Sequence, residues 1–451
     1  MRRSLVLCLA IGLGLIALIP AAGAKAPVAR GGLDRSFGEN GLVRPYVQIP
    51  GWDSSWTLAM AVGPDRKIYL LEHAISCDRG CSQGTFLLRL LPNGHFDPSF
   101  HVKGLVSLPS GADYYDTKIA VDPQGRVWIL ANENGIVDIV RRLPDGRPDP
   151  TFGSGGRVSI SCEVCEDAHL TLRPDPRGGA LIWGSRLDPL SPPYPSPLVL
   201  QRRILLLRVG ENGEPEAGFG QEGRSDLVLE NTGEPSASFV GPDGTITLAG
   251  GQPCCESPEG IFLERFRSDG SRDAAFSEKS SQALAALGLS RRSRPNTVVA
   301  IIAGRRGSLT LFGATEEGGY ALRVLPNGAL DQSFGRGGLK RLKWTLRAVA
   351  PAGRGRLWAV GYSLGVRGTL VFMLSHNGRI DRTFGRRHFT VQLRSWNPSQ
   401  VTIGRQGLRG ILFTPGYPGC RSFCLPQPKL ARVMPAPRRH PHHRRHLHHQ
   451  R

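Results

Sequence analysis

Seven copies of one short phrase run along this 451-residue chain, and their spacing limits what it can fold into. The phrase is an apolar stretch, a tight turn, then acid-x-small-Phe-Gly, as in RLLPNGHFDPSF, RRLPDGRPDPTFG and RVLPNGALDQSFG. Its aromatics are Phe37, Phe100, Phe152, Phe219, Phe276, Phe334 and Phe384, 50 to 67 residues apart. A period of that size, filled with short strands, is the signature of a propeller or a similar array.

Upstream of each phrase lies an apolar hairpin, for example IAVDPQGRVWIL or ASFVGPDGTITLAG. Pro, Asp and Gly at the bends supply the backbone angles of tight turns. A third strand leads into the phrase and a fourth follows the Phe-Gly, as in GRVSI. Seven hairpins and seven phrases predict an all-β chain, a seven-bladed β-propeller of four-stranded antiparallel blades over 25–434. The strand after the Phe-Gly is taken as the innermost of its blade. KLARVM, the last strand, has no phrase after it, and the segment GGLDRSFGENG opens with a phrase that has no strand before it. Each end holds what the other lacks, which predicts a ring closed at the termini.

The acid lies three residues before each Phe: Asp34, Asp97, Asp149, Glu216, Asp273, Asp331 and Asp381. Arg89, Arg141, Arg208, Arg265 and Arg323 stand eight residues before the acid, Met373 replaces the arginine once, and Arg432 holds the place in the last unit. A ring of acids could hold cations. A residue present in every blade serves the blade, however, so the expected roles are turn caps, pairing with arginine, and Phe plugging the gap between blades.

In these residues the chain resembles the delta-60 repeat family, over nearly all of 31–434. The resemblance implies a bacterial, exported, propeller-like protein and carries over no catalytic residue. Units four and five depart from the pattern. Gly218 takes the small position, Ser277 replaces the Gly after Phe276, and SQALAALGL reads as a short helix.

The N-terminal 1–24 has the parts of a secretory signal: Arg2 and Arg3, an apolar run from Leu5 to Ile19, and Ala22-Gly23-Ala24. No later segment is apolar enough to cross a bilayer. Eight further cysteines come as four close pairs: Cys77 with Cys81, Cys162 with Cys165, Cys254 with Cys255, and Cys420 with Cys424. In an exported chain these read as disulfides that fix loop shape. Zinc would need two pairs to meet in space, and no pair has a partner at the usual interval. All four pairs, with the Pro-rich insert 185–203, map to one face of the ring. The tail 435–451, with six of the twelve histidines, reads as disordered.

Formal charge is +20, from 49 Arg and 8 Lys against 37 acids. The basic residues read as scattered along the chain, though attraction to an anionic cell-envelope polymer fits the sign. The strands taken as innermost offer one Asp and one Glu, Asp226 and Glu230, poor material for a metal cage or carboxylate pair. His169 and His388 are isolated, and no nucleophile elbow, phosphate loop or nucleic-acid motif is present. The sequence therefore predicts no cofactor and no nucleic-acid partner. The leading reading is a secreted, monomeric binding or scaffold module for protein or glycan at the cell exterior. The alternative is an extracellular propeller enzyme, a lyase or hydrolase, with its site in the central channel.

Overall fold

The computed structural model describes residues 32–434 except 44–48, 50, 78–80, 102–103, 109–116, 167, 176–177, 189–200, 231–232, 252–260, 288–296, 316, 364–365, 367, 383, 385–389, 394–401, 407–408 and 415–428. The segment 1–24, read as a secretory signal, and the His-rich tail 435–451 lie outside the described residues. So do Cys254, Cys255, Cys420 and Cys424, four of the eight cysteines expected to form disulfides.

Seven separate antiparallel sheets follow one another along the chain, and the architecture is a seven-bladed β-propeller. Blade 1 is Ser54–Val62, Ile68–Ser76, Ser82–Leu90 and Leu105–Ser107. Blade 2 is Lys118–Val121, Val127–Glu133, Ile136–Arg142 and Arg157–Ser161. Blade 3 is His169–Pro174, Ala180–Asp188, Gln201–Val209 and Arg224–Glu230. Blade 4 has three strands, Glu234–Val240, Ile246–Gly251 and Phe262–Phe266. Blade 5 is Thr297–Ala303, Leu309–Thr315, Gly318–Val324 and Leu339–Leu342, and blade 6 is Thr345–Gly353, Arg356–Tyr362, Thr369–Ser375 and Thr390–Leu393. Blade 7 combines Thr402–Gln406, Arg409–Thr414 and Lys429–Met434 with Gly32–Leu33 and Leu42–Val43, both of which pair with Lys429–Met434. The pairing Leu33–Val433 matches the bridges Leu90–Phe96, Arg142–Pro148 and Val209–Pro215 inside the continuous blades. The N-terminal phrase thus sits where an unbroken chain would place it.

The middle strands of each sheet are the apolar ones, and their side chains fill the gaps between blades. Leu71, Leu87, Phe100, Val127 and Ile129 form one such layer. Leu181, Leu206, Phe219, Ile246 and Leu248 form another. A blade alone would leave both faces in water, so each is stable only between its neighbours.

The phase of the strands within a blade differs from the sequence reading. The strand after the Phe-Gly pairs back onto the strand before the phrase: Leu105–Ser107 onto Ser82–Leu90, Arg157–Ser161 onto Ile136–Arg142, Leu339–Leu342 onto Gly318–Val324. It is the outermost strand, and the innermost is the first strand of the hairpin. First strands of adjoining blades pack on each other, as Ser54–Val62 does on Lys118–Val121 and on Thr402–Gln406. The cause is the residue after Phe. Gly38, Gly153, Gly220 and Gly335, with His101 in blade 1, have φ between 49° and 63°, so the chain reverses there instead of crossing to the next blade.

Blade 4 shows what happens without that left-handed residue. Ser277 continues a right-handed turn, and Ala274–Ala286 becomes helix α1 in place of a fourth strand. Asp273, the repeat acid, serves as its N-cap, accepting from Phe276 N at 3.3 Å. Helix α1 packs on Phe262–Phe266.

The shared sheet of blade 7 makes a direct prediction. A chain starting at residue 44 loses both strands that cover Lys429–Met434, leaving an open edge next to a buried core. Its thermal midpoint should fall by more than that of a chain shortened after residue 434, and size-exclusion chromatography should show association. Equal midpoints for the two would refute the role assigned to 32–43.

Candidate functional site

Because strands alternate in direction, every first–second and third–fourth turn lies at one end of the ring. The second–third and fourth–first connections lie at the other. The two ends have different chemistry.

The phrase end is occupied by a repeated clamp. Arg89 Nε lies 2.8 Å from Asp97, Arg141 Nε 2.7 Å from Asp149 and Arg432 Nε 2.8 Å from Asp34. Each guanidinium lies over its repeat Phe, 4.4 Å from the Phe100 centroid, 4.6 Å from Phe152 and 4.8 Å from Phe37. Each also donates to the next blade: Arg89 to Pro144 O, Arg141 to Glu211 O, Arg208 to Ser268 O, Arg265 to Pro326 O, Arg323 to His376 O and Arg432 to Pro92 O. The accepting carbonyl is always two residues before the repeat Gly. That Gly has positive φ, and a Cβ on Gly94 or Gly146 would stand 2.8 Å or 3.0 Å from the preceding blade's Phe37 or Phe100. The small residue of the phrase donates to the acid, as Ser36 does to Asp34 at 2.7 Å and Thr151 to Asp149 at 2.7 Å.

These contacts set the charge state. Burial pushes the carboxyls of Asp34, Asp97 and Asp149 upward, but the hydroxyl donors and arginines outweigh it and hold them below the ordinary value. The weaker clamps follow the sequence departures. With Gly218 in the small position, Glu216 is 3.2 Å from Arg208, which also pairs with buried Asp175. Asp331 is 3.8 Å from Arg323, and Asp381, facing Met373, takes Arg356 at 3.6 Å.

The axis is lined by the hairpins' first strands, so Asp226 and Glu230 are at the rim. Asp226 pairs there with Arg203 at 2.5 Å. Glu234 is the one carboxylate within the seven first strands. Polar groups on these strands bind neighbouring backbone: Ser236 Oγ donates to Val298 O at 2.6 Å, Arg173 to Ser238 O at 3.2 Å and Gln406 to Arg66 O at 2.6 Å. Among the described residues no three His, Cys, Asp or Glu are placed to hold a metal ion. His169 begins the first strand of blade 3 and His388 lies outside the described residues.

One titratable group escaped the sequence reading. Glu72, on the second strand of blade 1, is buried, and its carboxyl is pushed up to about 8 by desolvation, with the Thr57 hydroxyl donating to it. The signal was there in IYLLEHAIS, an acid inside an otherwise apolar strand. Asp122 and Asp175 were also missed. They sit where blades 1 and 4 have Gly63 and Gly241, and Asp122 receives Arg126 Nε at 2.6 Å and Trp128 Nε1 at 3.0 Å. With Glu211 and Gly178 they line a small polar cleft between blades 2 and 3.

The other end is irregular. Disulfides join Cys77 to Cys81 and Cys162 to Cys165, both at this end. These are two of the four disulfides expected. The bonds expected between Cys254 and Cys255 and between Cys420 and Cys424 fall outside the described residues. Asp53 accepts from Cys77 N at 2.7 Å, and Asn132 Nδ2 donates to Cys165 O and Ala168 O. Cys162 N donates to Gly135 O at 2.7 Å, and Arg186 donates to Glu163 O at 3.3 Å. These bonds bring the 162–165 loop against Ile136 and Leu187, which are 48% and 50% exposed. Val366, also exposed, belongs to the same end. A fixed loop beside exposed apolar side chains is the described surface most suited to binding.

No family model and no curated protein matches the chain. The resemblance to delta-60 repeats therefore rests on the phrase itself. Among solved structures, similarity is found to the polysaccharide lyase Uly1, at 11% identity and TM-score 0.45 over 87% of this chain and 94% of that one. A Lactobacillus plantarum protein matches at 12% identity and TM-score 0.41, over 74% and 85%. A calcium-binding regucalcin from Agrobacterium tumefaciens matches at 8% identity and TM-score 0.35, over 70% and 90%. Likeness at this level carries no functional argument.

The clamp and the buried glutamate can each be tested by stability. Asp149→Ala strands buried Arg141 and should cost about 3 kcal/mol or more, whereas Asp273→Ala removes a helix cap and should cost about 1 kcal/mol. Urea denaturation would read the difference, and equal losses would show that the clamp is not a buried ion pair. For Glu72 the folded carboxyl holds its proton above the unfolded value of 4.5. Its contribution is thus full at low pH and lost as pH rises toward 8, with a slope of up to about 1.4 kcal/mol per pH unit. Glu72→Gln should flatten the stability profile between pH 5 and pH 8, and an unchanged slope would refute the shift.

Proposed function

We propose that this chain is an exported bacterial propeller of the delta-60 type that binds a protein or glycan outside the cytoplasm, with the disulfide-bearing end of blades 2 and 3 as the binding face. The observation that carries this reading is the conjunction at that end of Ile136, Leu187 and the loop closed by Cys162 and Cys165. Exposed apolar side chains beside a loop held by covalent and hydrogen bonds form a preorganised surface, which lowers the ordering cost of association. The opposite end spends its polar groups on the clamps. Disulfides support an oxidising compartment. Among the described residues no helix is long and apolar enough to cross a membrane.

A channel enzyme would need polar groups converging on the axis, and the first-strand Ser236, Arg173 and Gln406 are instead bonded to adjoining blades. The binding reading is favoured on that ground.

Glycan arrays and a panel of purified envelope proteins test it, probed with the wild-type chain and with a double variant carrying Ile136→Asp and Leu187→Asp. Both positions are exposed, so the fold should persist. The expected result is a specific ligand whose affinity falls at least tenfold in the double variant. Unchanged binding by that variant, or depolymerisation of a glycan by the purified chain, would overturn the assignment.

A further inference from the structure

Sorted by blade, the charge of this chain is divided rather than scattered. Residues 297–434 hold 21 Lys and Arg against four acids, while 32–296 hold 27 against 33. The ring gathers the excess onto three adjoining blades. Three of the four acids are already paired: Glu317 with Arg341 at 3.1 Å, and Asp331 and Asp381 within the clamps.

At the phrase end the excess converges between blades 5 and 6. The third–fourth turn of blade 6 is tied to its first–second turn by His376 N donating to Gly355 O at 2.9 Å. Lys340 reaches over from blade 5. Its Nζ is 3.4 Å from Asn377 O, and its Cδ is 3.4 Å from the place of a Cβ on Gly378. Burial pushes the Lys340 ammonium down, and the neighbouring charge of Arg379 pushes it further. Arg354, exposed at φ 53°, stands at the tip of the tied turn, and Arg305 and Arg306 (φ 55°) are exposed in the matching turn of blade 5. Left-handed backbone disfavours a residue with a side chain, yet arginine occupies it twice here. Like charges held together without an acid between them form a field that attracts anions.

We propose that this end of blades 5 and 6 binds an acidic polysaccharide, with Lys340, Arg354 and Arg379 receiving its carboxylates. The site lies at the opposite end from the protein- or glycan-binding face and stands independently of it. A repeating polyanion fits because the cations are spread over two blades, so one small anion could not meet them all. The turns 304–307, 353–356 and 376–379 carry no exposed large apolar residue, which a membrane-inserting surface would present. They carry no Phe, Tyr or Trp on which a nucleic-acid base could stack.

Fluorescence polarisation with labelled polygalacturonate oligomers tests this on the full chain. Binding should weaken steeply with added NaCl. A double variant carrying Arg354→Gly and Arg379→Gln should weaken it at least tenfold, the glycine being suited to the left-handed turn. Lys340→Gln, which leaves both turns intact, should weaken it severalfold. Arg147→Gln, an exposed change at the same end of blade 2, should have an effect within twofold. Equal losses in Arg147→Gln and the double variant would reduce the effect to net charge and overturn the site. So would equal binding of uncharged dextran, or the absence of polygalacturonate binding. Tighter binding of polyphosphate or of phosphatidylglycerol vesicles than of polygalacturonate would overturn the choice of ligand. Because this probe and these variants touch nothing at the disulfide end, failure here is separable from failure of the proposed binding face.

Discussion

One guanidinium in each of five blades carries three attachments at once. It neutralises its own acid, lies across its own aromatic, and donates to a carbonyl of the following blade; in blade 4 Arg265 keeps the last two, while its acid Asp273 caps helix α1 instead. The first two fix the arginine, and the third uses that fixed position to set the distance between sheets. Apolar packing between blades is stronger in sum but has no direction. The arginine supplies the direction, and so determines where each phrase turn sits relative to the next. An unpaired buried arginine would cost several kcal/mol, so acid, aromatic and arginine must be kept together. That explains why the phrase recurs as a unit.

The same requirement divides the molecule functionally. Turns at the phrase end are short and bonded to one another, and there variation is confined to side chains at their tips. The lone arginines of blades 5 and 6 are of this kind. Connections at the other end are under no such constraint. They differ in length and carry the two described disulfides, and apolar groups stand exposed beside them. Rigidity at one end is what allows irregularity at the other.

The number of blades was legible because Phe, Gly, acid and arginine each leave a fixed-spacing mark. The face shared by Cys77, Cys81, Cys162 and Cys165 was legible too, since either phase of the strands puts second–third and fourth–first connections together. The phase itself was not. Both phasings use the same hairpins, and they differ only in whether the Phe-Gly turn reverses the chain or carries it onward, which depends on a backbone angle at Gly153 or Gly335. Asp226 therefore reads from the sequence as an axis residue, whereas it stands on the outermost strand of blade 3. Asp175 was illegible for another reason. It takes Arg208, thirty-three residues on, in place of the weakened partner Glu216, and no spacing rule links the two. The short helix was anticipated from SQALAALGL, while its start at Asp273 depended on Ser277, four residues later, staying right-handed.

Helix α1 alters the outer wall of the ring as well as blade 4. The other blades finish in a strand whose outward N–H and C=O groups are a template for another chain. In blade 4 the third strand is covered by a helix whose backbone groups are satisfied internally. Any lateral growth of this propeller by strand addition must therefore begin elsewhere on its circumference. Blade 4 is a sector where a crowded surface would find no edge to extend.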